Sequence, residues 1–406
     1  TFIKLVVSTG LAVKDALSHR LPAMGEHSLA ATADHRDVHH GLSRPVSRAE
    51  EREEGGDRPA SKLTWKPDGD ELRITAGWID VPVCEAVLSQ NLQFLCCVDG
   101  SATSMTALDY LADGVLQRDR VATCEVMHLY DESKTWLPPS CTRTALHNHC
   151  EHKMASSVSS KRYSLVWKDR KGKDGKKAGV MICDHILAKK PNFVCMGFYG
   201  LKGRKAQSVL ASQVMQVLSS AACSAVLFKD EDIKMLPVRK KAVFVVSVSL
   251  NQAATKAFLD ALRLSKPGDE IHVVYVKGYL EEDESDYTAE LREKYDSFFG
   301  GLTDGSSKIF QKFNDRHLEF HLIPKQRFET TSQAVVRYAD MVDADFIVVG
   351  TNSLRVGRGK DPVGSVSLQI IQETERNVVI SFWINISAKL FDAHVKESGW
   401  AASHLA

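Results

Sequence analysis

The chain has 406 residues, 44% of them hydrophobic and 25% charged, which is enough to build two or three domain cores. Its 52 lysines and arginines nearly balance 51 aspartates and glutamates, leaving a formal charge of +1. No global field therefore draws it to nucleic acid or to an anionic membrane, and no apolar run approaches the roughly 20 residues of a membrane span.

The chain opens at Thr1, as a processed protein or a translated fragment would, and "TFIKLVVSTGLAVKDALSHRL" is acid-poor and partly amphipathic. Two readings follow. The chain is expected to be cytoplasmic, with an organelle as the alternative if residues 1–23 are a targeting remnant. Residues 26–62 combine few large apolar side chains with many charges, a composition that cannot offset its ordering entropy. A disordered N-terminal arm is expected there, within an irregular extension over residues 1–75.

Beyond residue 90 one unit is written twice. "LQFLCCVDG" reads as a buried strand, "SATSMTALDYLADGVLQ" as a helix with Met105, Leu108, Leu111, Ala112 and Val115 at helical spacing, and "VATCEVMHL" as the next strand. "PSCTRTALHNHCEHKMASSV" predicts a helix, "RYSLVWK" a strand, "DRKGKDGKK" a loop and "GVMICDHILAKK" a helix. The second copy opens with "AVFVVSVSL" and "NQAATKAFLDALRLS", in which Phe258, Ala261 and Leu262 share a face. The strand "IHVVYVK", the helix "YTAELREKYDSFFGGL" and the strand "LEFHLIP" follow. Asp99 aligns with Ser249 at an offset of 249 − 99 = 150, and Gly197 with Gly350 at 350 − 197 = 153, so the duplication runs over a whole domain. Strands alternating with helices imply parallel sheets covered on both faces. The expected fold class is therefore α/β: two tandem doubly wound parallel-sheet (Rossmann-like) domains over residues 76–230 and 237–383, with a C-terminal tail over 384–406. Nine cysteines without paired spacing suit a reducing compartment.

In such sheets ligands bind beyond the carboxyl ends of the strands, where the strand order switches. Each copy places a glycine-rich, basic loop there, ahead of a helix whose N-terminal N–H groups would favour an anion. Gly197 and Gly200 precede Ser212 in the first copy, and Gly350 precedes Gly364 and Ser365 in the second. Lys202, Arg204 and Lys205, with Arg355, Arg358 and Lys360, add charge. A phosphate cradle and an ordinary solvated loop both fit these residues.

Together, "CVDGS", "MHLYD" and "MGFYGLKGRK…LAS" resemble the universal stress protein family, over about residues 91–383 in two copies. The resemblance implies ATP or another adenine nucleotide as ligand, with Mg2+ only alongside it. It implies Asp99, with Gly100 and Ser101, against the adenosine and the backbone of Leu129 against the adenine. Gly197, Gly200 and Ser212 would cradle the phosphates in the first copy, and Gly350, Gly364 and Ser365 in the second. The first copy departs from the family pattern at Ala211, where a glycine is usual. The second departs at Ser353, in place of the second glycine, and at Ser249, which cannot supply a carboxylate.

The remaining motifs read plainly. Cys141, His147, His149, Cys150 and His152 match no zinc spacing, and one helix cannot aim them all at a point, so a wet helical face is expected and no metal. "KDRKGKDGKK" lacks interleaved aromatic platforms, so nucleic acid is not expected as a partner. No catalytic constellation stands out: no enzyme is expected, beyond at most slow ATP hydrolysis. Two functions follow: an ATP-binding regulatory protein, or a degenerate scaffold subunit of a larger assembly. The copies are expected to form an internal pseudo-dimer through "SAVLF" and "NVVIS", with protein partners engaging the arm and the tail.

Overall fold

The computed structural model describes residues 81–170, 177–201, 212–220, 223–229, 241–279, 285–303, 309–351 and 363–382. The arm, the basic loops 202–211 and 352–362, most of the 170–177 loop and the C-terminal tail lie outside these residues. A helix, α1 (Val81–Ser89), leads into β1 (Gln93–Cys97), α2 (Ala102–Asp109), a π-turn over Tyr110–Val115, α3 (Leu116–Arg118) and β2 (Thr123–Tyr130). Then come α4 (Arg143–Ser157), β3 (Tyr163–Asp169), α5 (Ala178–Lys189), β4 (Phe193–Gly197), α6 (Ser212–Ser220) and β5 (Ser224–Phe228). The second copy repeats the series as β6 (Val243–Ser247), α7 (Gln252–Leu264), β7 (Glu270–Lys277), α8 (Asp286–Thr303) and β8 (His317–Pro324). It ends with α9 (Thr331–Met341), β9 (Phe346–Thr351), α10 (Ser365–Glu373) and β10 (Asn377–Phe382).

All ten strands join one sheet in the order β3-β2-β1-β4-β5-β10-β9-β6-β7-β8. Within each half every pairing is parallel, and only β5 and β10 run antiparallel. Each half is therefore a doubly wound α/β unit, and the carboxyl ends of the two sets of strands lie at opposite ends of the sheet. Both faces are buried. One carries α1, α2, α4, α7 and α8, the other α5, α6, α9 and α10. Covering on both sides explains why the central strands are near-continuous apolar runs rather than alternating ones. Among the described residues no helix is long and apolar enough to cross a membrane.

The halves meet as the apolar last strands predict. Val226 faces Val379, with Ala225 opposite Ile380 and Leu227 opposite Val378. The central pair has an offset of 379 − 226 = 153, matching that of the glycine loops, so equivalent residues meet across a pseudo-two-fold axis. Every residue of both strands is buried. Each fully buried Val, Leu, Ile or Phe side chain contributes about 1.5–3 kcal/mol, and the pairing removes two sheet edges that would otherwise template wrong association.

Helices α2 and α7 straddle this axis, but with different chemistry. After the first helix the π-turn carries Tyr110, whose ring lies 5.5 Å from Phe228 and 5.4 Å from Phe346 of the other copy. The equivalent position on α7 is Asp260 (110 + 150), which is 0% exposed. Its Oδ2 accepts from Ser224 Oγ of the first copy at 2.6 Å, and its Oδ1 pairs with Lys256. Arg263 Nη1 lies 3.9 Å from the same carboxylate and its guanidinium 5.5 Å from the Phe193 ring, while its Nε and Nη2 are buried without a hydrogen bond. On the other side, buried Lys229 donates to the Ile371 carbonyl at 2.7 Å and its backbone N–H donates to Asn377 Oδ1 at 3.0 Å.

Two local features depart from the sequence expectations. The helix after β1 is interrupted by the π-turn, and α1, unforeseen, packs its Cys84, Val87 and Leu88 into the same core as Leu259, Leu262 and Tyr295 of the second copy. All nine cysteines are free. Burial pushes the thiols of Cys124, Cys150 and Cys223 up to about 12, so they serve as protonated core groups.

Two predictions follow from the seam. A fragment of residues 91–230 exposes β5 as an edge, and light scattering should find it dimeric or aggregated; a stable monomer would contradict the pairing. In the intact chain, Asp260→Ala strands Lys256 and Arg263 without a counter-charge, and urea unfolding should show a loss of about 3–5 kcal/mol.

Candidate functional site

The strand order reverses between β1 and β4 in the first copy and between β6 and β9 in the second. The loops leaving these strands form the crevice where ligands of doubly wound sheets sit.

In the first copy the chain leaves β1 through Val98, whose N–H donates to the Met127 carbonyl at 2.9 Å. Gly100 then adopts φ +86°, and a Cβ built on it would lie 2.7 Å from Cys141 Sγ. The turn thus needs glycine on two counts, backbone conformation and space. Ser101 caps α2, its side chain accepting from Ser104 N. Asp99 Oδ1 accepts from the Ser101 N–H at 2.9 Å and from Ser101 Oγ at 2.6 Å. One carboxylate oxygen is therefore committed to the turn that starts the helix. The other, Oδ2, lies beneath Gly200, where an added Cβ would approach it to 3.4 Å. Thr103 Oγ1 ties the Gly200 loop down by donating to the Tyr199 carbonyl at 2.8 Å.

Gly197 proves to be a packing residue. Its Cβ would lie 2.5 Å from both Ser104 N and Thr103 Oγ1, so the end of β4 presses on the first turn of α2. Gly350 is tighter still, at 2.1 Å from the Ala253 carbonyl oxygen in the first turn of α7. Helix contact alone accounts for both glycines. The structure thus brings together Asp99, Gly100, Ser101, Gly197 and Gly200. Leu129 stands near the carboxyl end of the adjacent β2, half-buried against the core. Ser212 opens α6, but its side chain and the loop before it, including Ala211, lie outside the described residues.

Sequence reasoning assigned no role to His128, inside the quoted "MHLYD". Its Nδ1 lies 2.8 Å from the Val98 carbonyl oxygen and its ring 5.0 Å from Trp167. Burial depresses its pKa, which keeps it neutral beside the crevice. Only the three-dimensional pairing of β1 with β2 shows this proximity. The expected wet face of α4 is exposed at His149 and His152, whereas Cys141 and Cys150 are buried and His147 accepts from the Trp167 indole.

The second crevice differs where the chain leaves β6. Ser249 Oγ accepts from Asn251 Nδ2, and Asn251 caps α7 by accepting from Ala254 N at 2.9 Å. Tyr287 reaches over from α8 and accepts from Leu250 N at 2.9 Å. A serine, an amide and a phenol replace the carboxylate. At the start of α10 the Gly364 N–H donates to Thr351 Oγ1 at 3.2 Å, Ser367 Oγ donates to the Gly350 carbonyl at 3.5 Å, and Gly364 and Ser365 are exposed. The basic residues of both loops, and Ser353, lie outside the described residues.

The comparisons agree with this architecture. Residues 240–381 match the sequence model of the universal stress protein family, so the second half of the chain carries a universal stress protein domain. A universal stress protein structure from Archaeoglobus fulgidus is similar over 72% of this chain and 99% of its own, at 18% identity and a TM-score of 0.51. That likeness extends across both halves and concerns the fold. A functionally unknown protein from Pseudomonas aeruginosa aligns over 77% of this chain and 99% of its own, at 16% identity and a TM-score of 0.46. No curated protein matches the sequence.

If the strand-end glycines serve packing, Gly350→Ala should destabilise the chain by about 1–3 kcal/mol through overpacking against a backbone that cannot move cheaply. Gly200→Ala, which among the described residues meets only a side-chain oxygen at contact distance, should unfold at nearly the parent denaturant concentration. Equal stability of the two variants would contradict this assignment.

Proposed function

We propose that the chain is an adenine-nucleotide-binding regulatory protein in which the first copy holds the nucleoside and catalysis is at most slow ATP hydrolysis. The observation that carries this reading is Asp99. It stands at the carboxyl end of β1, at the switch point, with Oδ1 fixed by Ser101 and Oδ2 turned towards the Gly200 loop. A carboxylate fixed in this way is pre-organised to accept hydrogen bonds from a ribose hydroxyl or an adenine amine, and charge-assisted bonds of that kind contribute roughly 1.5–3 kcal/mol. The universal stress protein resemblance supplies the ligand class, ATP, with Mg2+ accompanying the nucleotide.

The reading gives the second copy a weaker role, because Ser249 offers no charge and is already bonded to Asn251. Its phosphate end, with Gly364 and Ser365 exposed at the start of α10, is the better preserved one. Around Asp99 no described group is placed to activate water: His128 is buried and faces the Val98 carbonyl. That geometry supports binding without efficient turnover. The loss of the carboxylate in the second copy favours the alternative, an accessory subunit whose pockets are vestigial and whose arm and tail engage a partner. A cytoplasmic location belongs to the same proposal.

Titration calorimetry with ATP on the full chain tests it. The parent should bind in the micromolar range, about −8 kcal/mol. Asp99→Asn retains an Oδ1 acceptor for the Ser101 turn while removing the charge, and should lose roughly 1.5–3 kcal/mol of binding. Ser365→Ala should change little. Binding lost in Ser365→Ala but kept in Asp99→Asn reverses the order of the two sites, and no heat at millimolar ATP favours the scaffold reading.

A further inference from the structure

A second cluster lies on β7 and β8, the two strands at the outer edge of the second copy. β7 and β8 pair in parallel with His272 opposite Glu319, and His321 follows two residues further along β8. Side chains two apart on a strand, and those in register on its neighbour, project from the same sheet face. His272, Glu319 and His321 therefore converge, and one ligand atom from each lies within 4.8 Å of the other two.

The surroundings hold these groups as a second layer holds metal ligands. Tyr338 Oη of α9 lies 2.9 Å from His272 Nδ1, which leaves Nε2 as the nitrogen available to an ion. His317 Nε2 bonds Glu319 Oε1 at 2.7 Å and orients the carboxylate. His321 Nε2 lies 3.1 Å from Glu319 Oε2, yet it is buried and makes no hydrogen bond. Its nearest acceptor, the Glu319 carboxylate, is itself a member of the same cluster.

The first copy supplies an internal comparison. Registering β1 with β2 and β6 with β7 places Glu125 where the second copy has His272. The next pairings place Ser164 at Glu319 and Val166 at His321. His185 of α5 takes the place of Tyr338 (338 − 185 = 153), and its Nε2 lies 2.7 Å from Glu125 Oε2. The three-residue set is thus no requirement of the fold. It exists in one copy only, at positions where the other copy carries a carboxylate, a hydroxyl and an aliphatic group.

We propose that His272, His321 and Glu319 form a binding site for a first-row divalent transition-metal ion, of which Zn2+ is the natural representative. Two imidazoles and one carboxylate suit zinc, whereas Mg2+ and Ca2+ demand oxygen ligands. Bond lengths of about 2.0–2.2 Å to a tetrahedral ion require donors about 3.4 Å apart, so the ligand atoms, now within 4.8 Å of one another, would draw in and the His272 and His321 rings, stacked at 5.0 Å, would turn towards the ion. Three protein ligands leave a fourth position open. The bound ion would join the edge strand β8 to β7 beneath α9.

The test uses the full chain stripped with EDTA, with Zn2+ and Co2+ as probes. Calorimetry should give one Zn2+ site whose affinity falls at least tenfold in His321→Ala and in Glu319→Gln, since loss of a second-layer partner alone costs about 10–100-fold. The double variant His149→Ala/His152→Ala, on the exposed face of α4, should bind as the parent does. Co2+ should produce visible ligand-field bands without intense thiolate charge transfer, and both should vanish in His321→Ala. Circular dichroism of each metal-free variant checks folding. If one variant is misfolded, the other and Tyr338→Phe, which should weaken binding about tenfold, decide the matter. The proposal is overturned by unchanged Zn2+ affinity in the folded variants, by a thiolate band that places the ion on cysteine, or by no binding to the parent at ~100 µM Zn2+, well above the range of protein zinc sites.

Discussion

The antiparallel contact between β5 and β10 governs the rest of the molecule. Each copy is a parallel sheet that would end in an unpaired, mostly apolar edge, and in water such an edge is a template for association. Pairing Val226 with its own equivalent, Val379, satisfies both edges at once. It makes ten strands into one sheet and places the two crevices at opposite ends. It also lets the π-turn after α2 and helix α7 each reach a strand of the other copy, Tyr110 against Phe346 and Asp260 against Ser224.

Around this shared frame the two copies have diverged in their polar positions. Asp99 is matched by Ser249 at the switch point, Tyr110 stands where Asp260 is buried, and Glu125 and Val166 stand where His272 and His321 meet. The physical reason is the division of labour within a doubly wound sheet. Apolar periodicity specifies the backbone and tolerates little change in volume, whereas a strand-end loop or an edge-strand face carries side chains that only a ligand or a polar neighbour constrains. Asymmetry between the crevices is therefore compatible with a symmetric core.

The glycines show how one residue type can carry two meanings. Gly100 needs its left-handed conformation to turn from β1 into α2, while Gly197 and Gly350 need the absence of a Cβ because a helix terminus presses on them. A glycine-rich pattern that resembles a phosphate loop is, in two of its positions, a record of strand-to-helix packing. The positions without such a packing explanation are Gly200, facing Asp99, and Gly364, at an open helix start.

Much of the architecture was legible in the linear chain. The alternation of apolar runs with amphipathic segments, the constant offset between copies and the apolar last strands are local or periodic properties, and they determined a duplicated α/β fold and its internal pairing. The motif at Asp99 was equally legible, because a turn residue between a strand and a helix is read from its neighbours. What lay beyond the sequence depended on contacts between distant segments. Helix α1 packs against α7 of the second copy, a contact between distant segments, and His128 approaches the crevice only because β2 flanks β1. In "IHVVYVK" and "LEFHLIP" the histidines and the glutamate read as polar interruptions of apolar strands; the register of β7 against β8 gathered them. Period and composition are carried by each segment alone, but which polar groups meet is decided by strand register, and register is settled only when the whole core closes.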